Sequence, residues 1–227
     1  MEDYKIRNVT PEDFPFLADV IIRAEKGNSG KLSFATLFTM EENCVKEVII
    51  SMLEEDIDGC EFSPSSYMIV DYNGAPVAAV GAWIEGFNGN LPSKILKSNL
   101  LISSLGKKQI QSFKSNSHII SDIVIEREKM TLQIEYMYVA RAHRRKGLHV
   151  MLADAVLAKV FSVCPELSKA QTQVFENNFA AIKANEEIGF RKVRSYTSDN
   201  SEILNYLPYN TKILMEGDLT KTAYGKV

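Results

Sequence analysis

Apolar and polar positions change period several times along the chain, and each change marks an element. "YKIRNV" alternates and predicts a short strand. It runs into "TPEDF", where Thr10 can cap a helix and Pro11 suits its first turn. Glu12 and Asp13 then place negative charge at the positive end of the helix dipole. Phe14, Leu17, Val20 and Ile21 recur at helical spacing, and "NSGKLS" breaks the helix. A second helix is predicted from about Met40 to Leu53, with Val45, Val48, Ile49 and Met52 on one face. "SYMIVDYNGAPVAAVGAWIEG" holds two β-rich runs around Asn73-Gly74, which is a hairpin signal.

The segment from about Phe87 to Lys129 contains Pro92 and many serines and reads as one or two helices. "MTLQIEYMYV" returns to strand character, and Leu148, Met151, Leu152, Ala155 and Val156 stripe the helix that follows. "AQTQVF" predicts a short strand, and "NNFAAIKANEEIGF" a helix closed by Gly189. "RKVRSYTSD" and "TKILMEGDL" predict two late strands. With no internal repeat, this order implies a mixed α/β (α+β) architecture in one domain over residues 1–227.

Hydrophobic residues make up 45% of the 227 positions, enough for a sizeable core. A formal net charge of -3 and a pI near 5.7 argue against a general nucleic-acid partner and leave room for a local basic site. Cys44, Cys60 and Cys164 are odd in number and widely spaced, with no Cys-x-x-Cys pair. That usage suits a reduced, cytoplasmic setting with buried or inert thiols, and no metal is expected. "MEDYKIRNVT" mixes charges and does not read as a signal peptide. No apolar run approaches the roughly 18 residues of a membrane helix, so no membrane association is expected.

The basic loop in "VARAHRRKGLHVMLADAV" changes this bland picture. A strand ending at Val139 and a helix opening near Gly147 create an anion site, because the first helical turn has unpaired N–H groups and a partial positive charge. Gly147 lets a ligand approach the backbone, and Arg144, Arg145 and Lys146 add charge. A pyrophosphate fits such a cradle. A solvated basic corner would use the same residues.

Two stretches together resemble the GNAT superfamily of acyl-CoA-dependent N-acetyltransferases. Its coenzyme signature, Arg/Gln-x-x-Gly-x-Gly/Ala after a strand, matches "MYVARAHRRKGLHVML" at Val139, Arg144, Gly147 and Leu152. Its later signature matches "NFAAIKANEEIGF" at Asn178, Ala181, Gly189 and Phe190. The opening "IRNVTPEDF" is similar to the family's first strand and helix. The resemblance implies a central, mostly antiparallel twisted sheet flanked by helices, with an insertion of roughly forty residues, 87–129, before the fourth strand. It also implies acetyl transfer from acetyl-CoA to a primary amine by direct attack in a ternary complex.

The residue roles follow from the same resemblance. Met137, Tyr138 and Val139 would pair with the pantetheine arm through their main chain. Arg144, Arg145, Lys146, Gly147, Leu148 and His149 would hold the pyrophosphate, and the Asn178 side chain would bond the pantetheine amides. Met137 or Tyr138 would supply the oxyanion N–H. Glu135 is the candidate base; strand alternation places it on one face with Met137 and Val139, although an exposed strand glutamate is the plainer reading. Tyr136 and Tyr138 are either proton carriers or packing residues.

Two positions depart from the family pattern. His149 replaces the last glycine or alanine of the coenzyme signature. Asn185 stands where many members place the tyrosine that protonates the leaving thiolate, and an amide cannot supply that proton. A thiol with a pKa around 8.5 can nonetheless leave without a dedicated acid.

The insertion carries Lys94, Lys97, Lys107, Lys108 and Lys114, and no acid lies between Phe87 and Ser121. It is either a basic lid for an anionic acceptor or a solvated face. "EEDIDGCE" either attracts a cationic amine or forms a plain exposed turn. The acceptor is expected to be a small-molecule or peptide amine, and the late strands suit a homodimer. The alternative reading is an acyl-CoA-binding sensor or inactive scaffold of the same fold, which Asn185 and His149 favour.

Overall fold

β-Branched and aromatic residues fill "LQIEYMYV", and this run becomes the central strand of a seven-stranded sheet. A computed structural model of the chain describes residues 4–221; Met1–Asp3 of the N-terminal stretch and the last residues of the expected domain lie outside them. The elements run β1 (Tyr4–Asn8), α1 (Phe14–Lys26), α2 (Ser33–Phe38), α3 (Glu42–Glu54), β2 (Tyr67–Tyr72) and β3 (Ala75–Ile84). There follow α4 (Ser93–Ser104), α5 (Lys107–Asn116), β4 (Leu132–Val139), α6 (Leu148–Val163) and β5 (Lys169–Phe175). The chain continues with α7 (Phe179–Glu187), β6 (Phe190–Thr197), α8 (Ile203–Tyr206) and β7 (Thr211–Asp218). The strand order is β1-β2-β3-β4-β5-β7-β6, antiparallel throughout except between β4 and β5.

Each sheet face has its own core. Leu17, Val45, Ile49 and Leu100 from α1, α3 and α4 pack with Tyr67 and Ile69 on one face. On the other, the α6 stripe of Leu148, Leu152, Val156 and Val160 meets Val80, Leu132, Ile134, Ile213 and Met215. The β2–β3 hairpin turns where expected, with Asn73 at φ 54° and Gly74 at φ 83°, the left-handed pair a tight hairpin turn demands.

Two short helices were not readable from apolar periodicity. In α2, Phe34, Ala35, Leu37 and Phe38 are all buried, so the segment has no polar face to give it a period. α8 spans four residues. The insertion contributes α4, α5 and a 3-10 stretch, Ser117–Ile123, and buries Leu100, Leu105, Ile119 and Ile123 in the α1-side core. It is anchored at its start by Glu85, whose carboxylate accepts the Ser93 N–H at 2.8 Å and the Trp83 indole N–H at 3.0 Å. An acid at a helix N-terminus is favoured by the macrodipole.

Asp13 does more than complement the α1 dipole. Arg7 donates to its two oxygens at 2.6 and 2.9 Å and to Asp71 at 3.2 Å, joining β1, the entry to α1 and β2. Cys60 and Cys164 are buried, whereas Cys44 is exposed, and all three are free thiols. Among the described residues no helix is long and apolar enough to cross a membrane.

The hydrogen bonds from Arg7 hold the Asp13 carboxyl below its ordinary pKa, outweighing burial. Arg7→Met should therefore cost about 2 kcal/mol in urea unfolding at neutral pH, since it strands a buried carboxylate. Because the folded-state pKa is depressed, this contribution is present above pH about 4 and should fade as the pH falls below it.

Candidate active site

β4 departs from regular alternation at one residue. Gly81 faces Glu135 and Ala79 faces Tyr138 across the β3–β4 ladder, so the register slips by one between them. Tyr136 takes up the extra residue in the left-handed region at φ 50°. The bulge corrects the expectation that Glu135 shares a face with Met137 and Val139. Met137 and Val139 pack into the α6-side core, whereas Tyr136 and Tyr138 pack on the α1 side, to which Glu135 also turns.

The β4–β5 pairing is equally short. Only Leu132 with Ala170 and Gln133 with Gln171 are in register, and the strands then part. Buried amides tie the base of this splay: Gln133 Nε2 donates to Thr131 Oγ1 at 2.6 Å and to Gln171 Oε1 at 3.2 Å. Past Gln133, no strand among the described residues lies on the β5-facing edge of β4, which leaves main-chain groups there available to a ligand.

On the α1 side of the splay lies a buried charged cluster. Glu135 is not an exposed edge residue; its side chain is 12% exposed and lies 3.3 Å from Arg127 Nη2. The same guanidinium nitrogen is 3.5 Å from Glu61, whose Oε1 also takes a 2.9 Å bond from Lys97. Arg127 stacks over Trp83, 5.0 Å from its ring centre. Burial pushes the Glu135 carboxyl above its ordinary pKa, and Arg127 only partly offsets this. Burial acts the same way on Glu61, yet Arg127 and Lys97 overcome it and hold that carboxyl at about 2. Burial raises Glu25 of α1 and lowers Lys212 of β7.

These contacts narrow two open readings. Glu54 and Glu55 are exposed, but Glu61 at the end of "EEDIDGCE" is a buried ion-pair partner. Lys97 is held inward by Glu61, and Lys94 is bonded to Glu126 at 2.7 Å, so neither is a free charge on a lid. Sequence reasoning missed Glu25, Arg127 and Lys212 and reached Glu61 only as the last acid of "EEDIDGCE"; in sequence, Arg127 is one charge among several in "EREKM".

The basic loop sits beyond the end of β4. Gly147 caps α6 at φ 74°, Arg145 is also left-handed at φ 61°, and a Cβ placed on Gly147 would meet nothing within 4 Å. This open backbone at the start of a 16-residue helix fits a pyrophosphate in shape and charge. Arg144 Nε donates to the Val139 carbonyl at 3.1 Å and pins the loop to the strand end. Arg145 and Lys146 are exposed, and Leu148 points into the core, leaving only its main chain to the cradle. His149 Nε2 lies 3.0 Å from Glu187 on α7, so its side chain reaches toward that helix. Asn178 caps α7, its Oδ1 accepting the Ala181 N–H at 3.3 Å. Asn185 is buried on the inner side of α7, on the turn between Ala181 and Ile188. Among the described residues, no His, Cys, Asp or Glu group is arranged to hold a metal.

A sequence profile described as the Acetyltransferase (GNAT) family matches residues 37–190, a span that takes in the bulged strand, the basic loop and α7. The chain belongs to the GNAT acetyltransferase family. Its members transfer acetyl groups from acetyl-CoA. Among curated proteins none matches the chain in sequence. Among solved structures, an N-acetyltransferase from Staphylococcus aureus Mu50 is 14% identical, covers 93% of this chain and 99% of its own, and gives a TM-score of 0.64. A spermidine N-acetyltransferase SpeG chimera from Vibrio cholerae and hSSAT is 13% identical over 99% of both chains, with a TM-score of 0.54. AAC(6')-Ib in complex with ribostamycin and coenzyme A is 16% identical over 98% of both, with a TM-score of 0.52. At these identities the likeness is one of GNAT fold.

The cluster should be acid-sensitive and intolerant of losing its cation. Arg127→Met removes the charge shared by Glu61 and Glu135 and should cost about 3–5 kcal/mol in denaturant unfolding at neutral pH. Because the folded-state pKa of Glu61 is depressed to about 2, its contribution is full above its unfolded value of 4.5 and should be lost between those pH values. A loss of less than 1 kcal/mol would contradict a buried network.

Proposed function

We propose that the protein acetylates a primary amine, with acetyl-CoA and the acceptor bound together at the β4–β5 splay. The observation that carries this reading is the bulge at Tyr136, which lies at the mouth of the splay and leads directly into the Gly147 cradle. When bound, acetyl-CoA supplies an activated thioester. Arg144, Arg145, Lys146 and the N–H groups of Gly147, Leu148 and His149 hold its pyrophosphate. Met137, Tyr138 and Val139 pair with the pantetheine arm along the open edge of β4. Asn178 contributes its Nδ2 to that arm, since its Oδ1 is engaged as the α7 cap.

Glu135 takes the proton from the incoming ammonium. Its raised pKa brings it closer to that of an efficient base near neutral pH, and Arg127 fixes its position. A main-chain N–H of the bulge, from Met137 or Tyr138, donates to the thioester oxygen as negative charge develops there. The thiolate that leaves takes its proton from Tyr138, on the same face as Glu135, or from water. Asn185 keeps a packing role. The relatives' names, which mention spermidine and ribostamycin, support a small-molecule amine as acceptor. Asn185 also supports the rival reading of an acyl-CoA sensor, which thiol-release assays with a panel of amines separate from turnover.

Acetyl-CoA at about a hundred times its dissociation constant should add roughly 2.7 kcal/mol and raise the melting temperature by roughly 5–10 °C. Gly147→Val should abolish that shift by filling the cradle and forcing a branched residue to positive φ. No shift for the unaltered chain at millimolar acetyl-CoA would refute the proposal. Once an acceptor is in hand, Glu135→Gln should keep the shift and lower turnover by about 10²–10⁴-fold, with the deficit shrinking at high pH as the amine deprotonates itself.

A further inference from the structure

Glu135 flanks the splay on the α1 side from β4. Lys212 of β7 lies on the other flank. It lies directly opposite Phe175 of β5 and Tyr196 of β6, and opposed residues share a face. Phe175 and Tyr196 both pack on the α1-side core. Lys212 and Glu135 therefore lie on the same face of the sheet on opposite sides of the splay, Lys212 in the β5–β7 half and Glu135 on β4.

The charges that turn into this cleft are Glu25 from α1, Glu61 from the loop after α3, Lys97 from α4, Arg127, Glu135 and Lys212. Lys97 and Arg127 are engaged by Glu61 and Glu135. Lys212 is not: its ammonium sits 5.1 Å from the centre of the Phe175 ring, and no carboxylate among the described residues lies within ion-pair distance of it. Glu135 and Glu25 act on it only from beyond bonding distance, so this half-buried ammonium against an aromatic ring has no carboxylate bonded to it and gains by meeting one.

We infer that Lys212 binds a carboxylate of the acceptor, so that the amines acetylated here carry a carboxylate beside the amine, as α-amino acids do. The inference rests on the acetyltransferase reading and narrows it. The acceptor ammonium faces Glu135 and its carboxylate faces Lys212, which fixes the amine in the splay from two ends. One lysine balances a carboxylate; a phosphate dianion would leave charge uncompensated, because the other two cations are already paired. A polyamine would bring a second ammonium up to Lys212, and that like-charge contact selects against it.

The test uses ternary complexes with coenzyme A, so it does not depend on turnover. Protein saturated with coenzyme A is titrated with matched pairs: phenylalanine and phenethylamine, tyrosine and tyramine, methionine and 3-methylthiopropylamine. For at least one pair the amino acid should bind about tenfold to a hundredfold more tightly than its decarboxylated partner. Lys212→Met should remove that preference, Lys212→Arg should retain most of it, and both variants should keep the coenzyme A melting shift. The inference is overturned if the amines bind as well as the amino acids, if no amino acid binds, or if the preference survives in Lys212→Met. Absence of the coenzyme A shift itself would remove the acetyltransferase reading and this inference with it.

Discussion

The parting of β4 from β5 after Gln133 is the constraint on which the other features depend. β5 is paired with β7 along its whole length, from Lys169 to Phe175, and β4 is paired with β3 as far as Val139. The sheet is thus two halves joined by two residue pairs and a patch of buried amides. Main-chain groups along the open edge of β4 need partners, and an extended ligand with amides of its own satisfies them as a strand would. The bulge at Tyr136 lies in this open stretch, so the break in hydrogen bonding and the break in side-chain alternation coincide.

That coincidence decides which side chains meet. By adding one residue, the bulge turns Glu135 to the same side as Tyr136 and Tyr138, away from Met137 and Val139. On that side the insertion supplies the wall. Glu85 caps α4 where the insertion leaves β3, and Arg127 brings a guanidinium back to Glu135 just before the insertion rejoins β4. Both ends of one segment are thereby fixed to the strands that form the site. The result is a buried set of charges whose balance rests on specific pairs: Glu61 with Arg127 and Lys97, and Glu135 with Arg127. Burial raises Glu135 while its neighbour Glu61 is held low, the separation that the proposed role of Glu135 as base requires.

The long elements and the open glycine loop before α6 were legible in the sequence for definite physical reasons. α1, α3 and α6 each bury one stripe, so their apolar residues recur at helical spacing. That loop was visible because Gly147 sits where a left-handed backbone and an open approach both suit glycine. The bulge was invisible because the residue at φ 50° is a tyrosine, and nothing in "IEYMY" marks it. A slip of one residue then reverses every side-chain assignment beyond it, which is why the expected face of Glu135 failed relative to Met137 and Val139. α2 was hidden by burial on nearly all sides. Glu61 and Arg127 stand far apart in sequence, and no local pattern links an acid in a turn to an arginine in a loop.

The central claim is that the β4–β5 splay, continued into the Gly147 loop, is where the family's acetyl-CoA chemistry takes place in this chain. Backbone hydrogen exchange with and without coenzyme A tests it residue by residue. The account predicts added protection confined to Met137–Val139 on the open edge of β4 and to Gly147–Val150 at the start of α6. Protection that appears elsewhere while these two stretches exchange unchanged would contradict it.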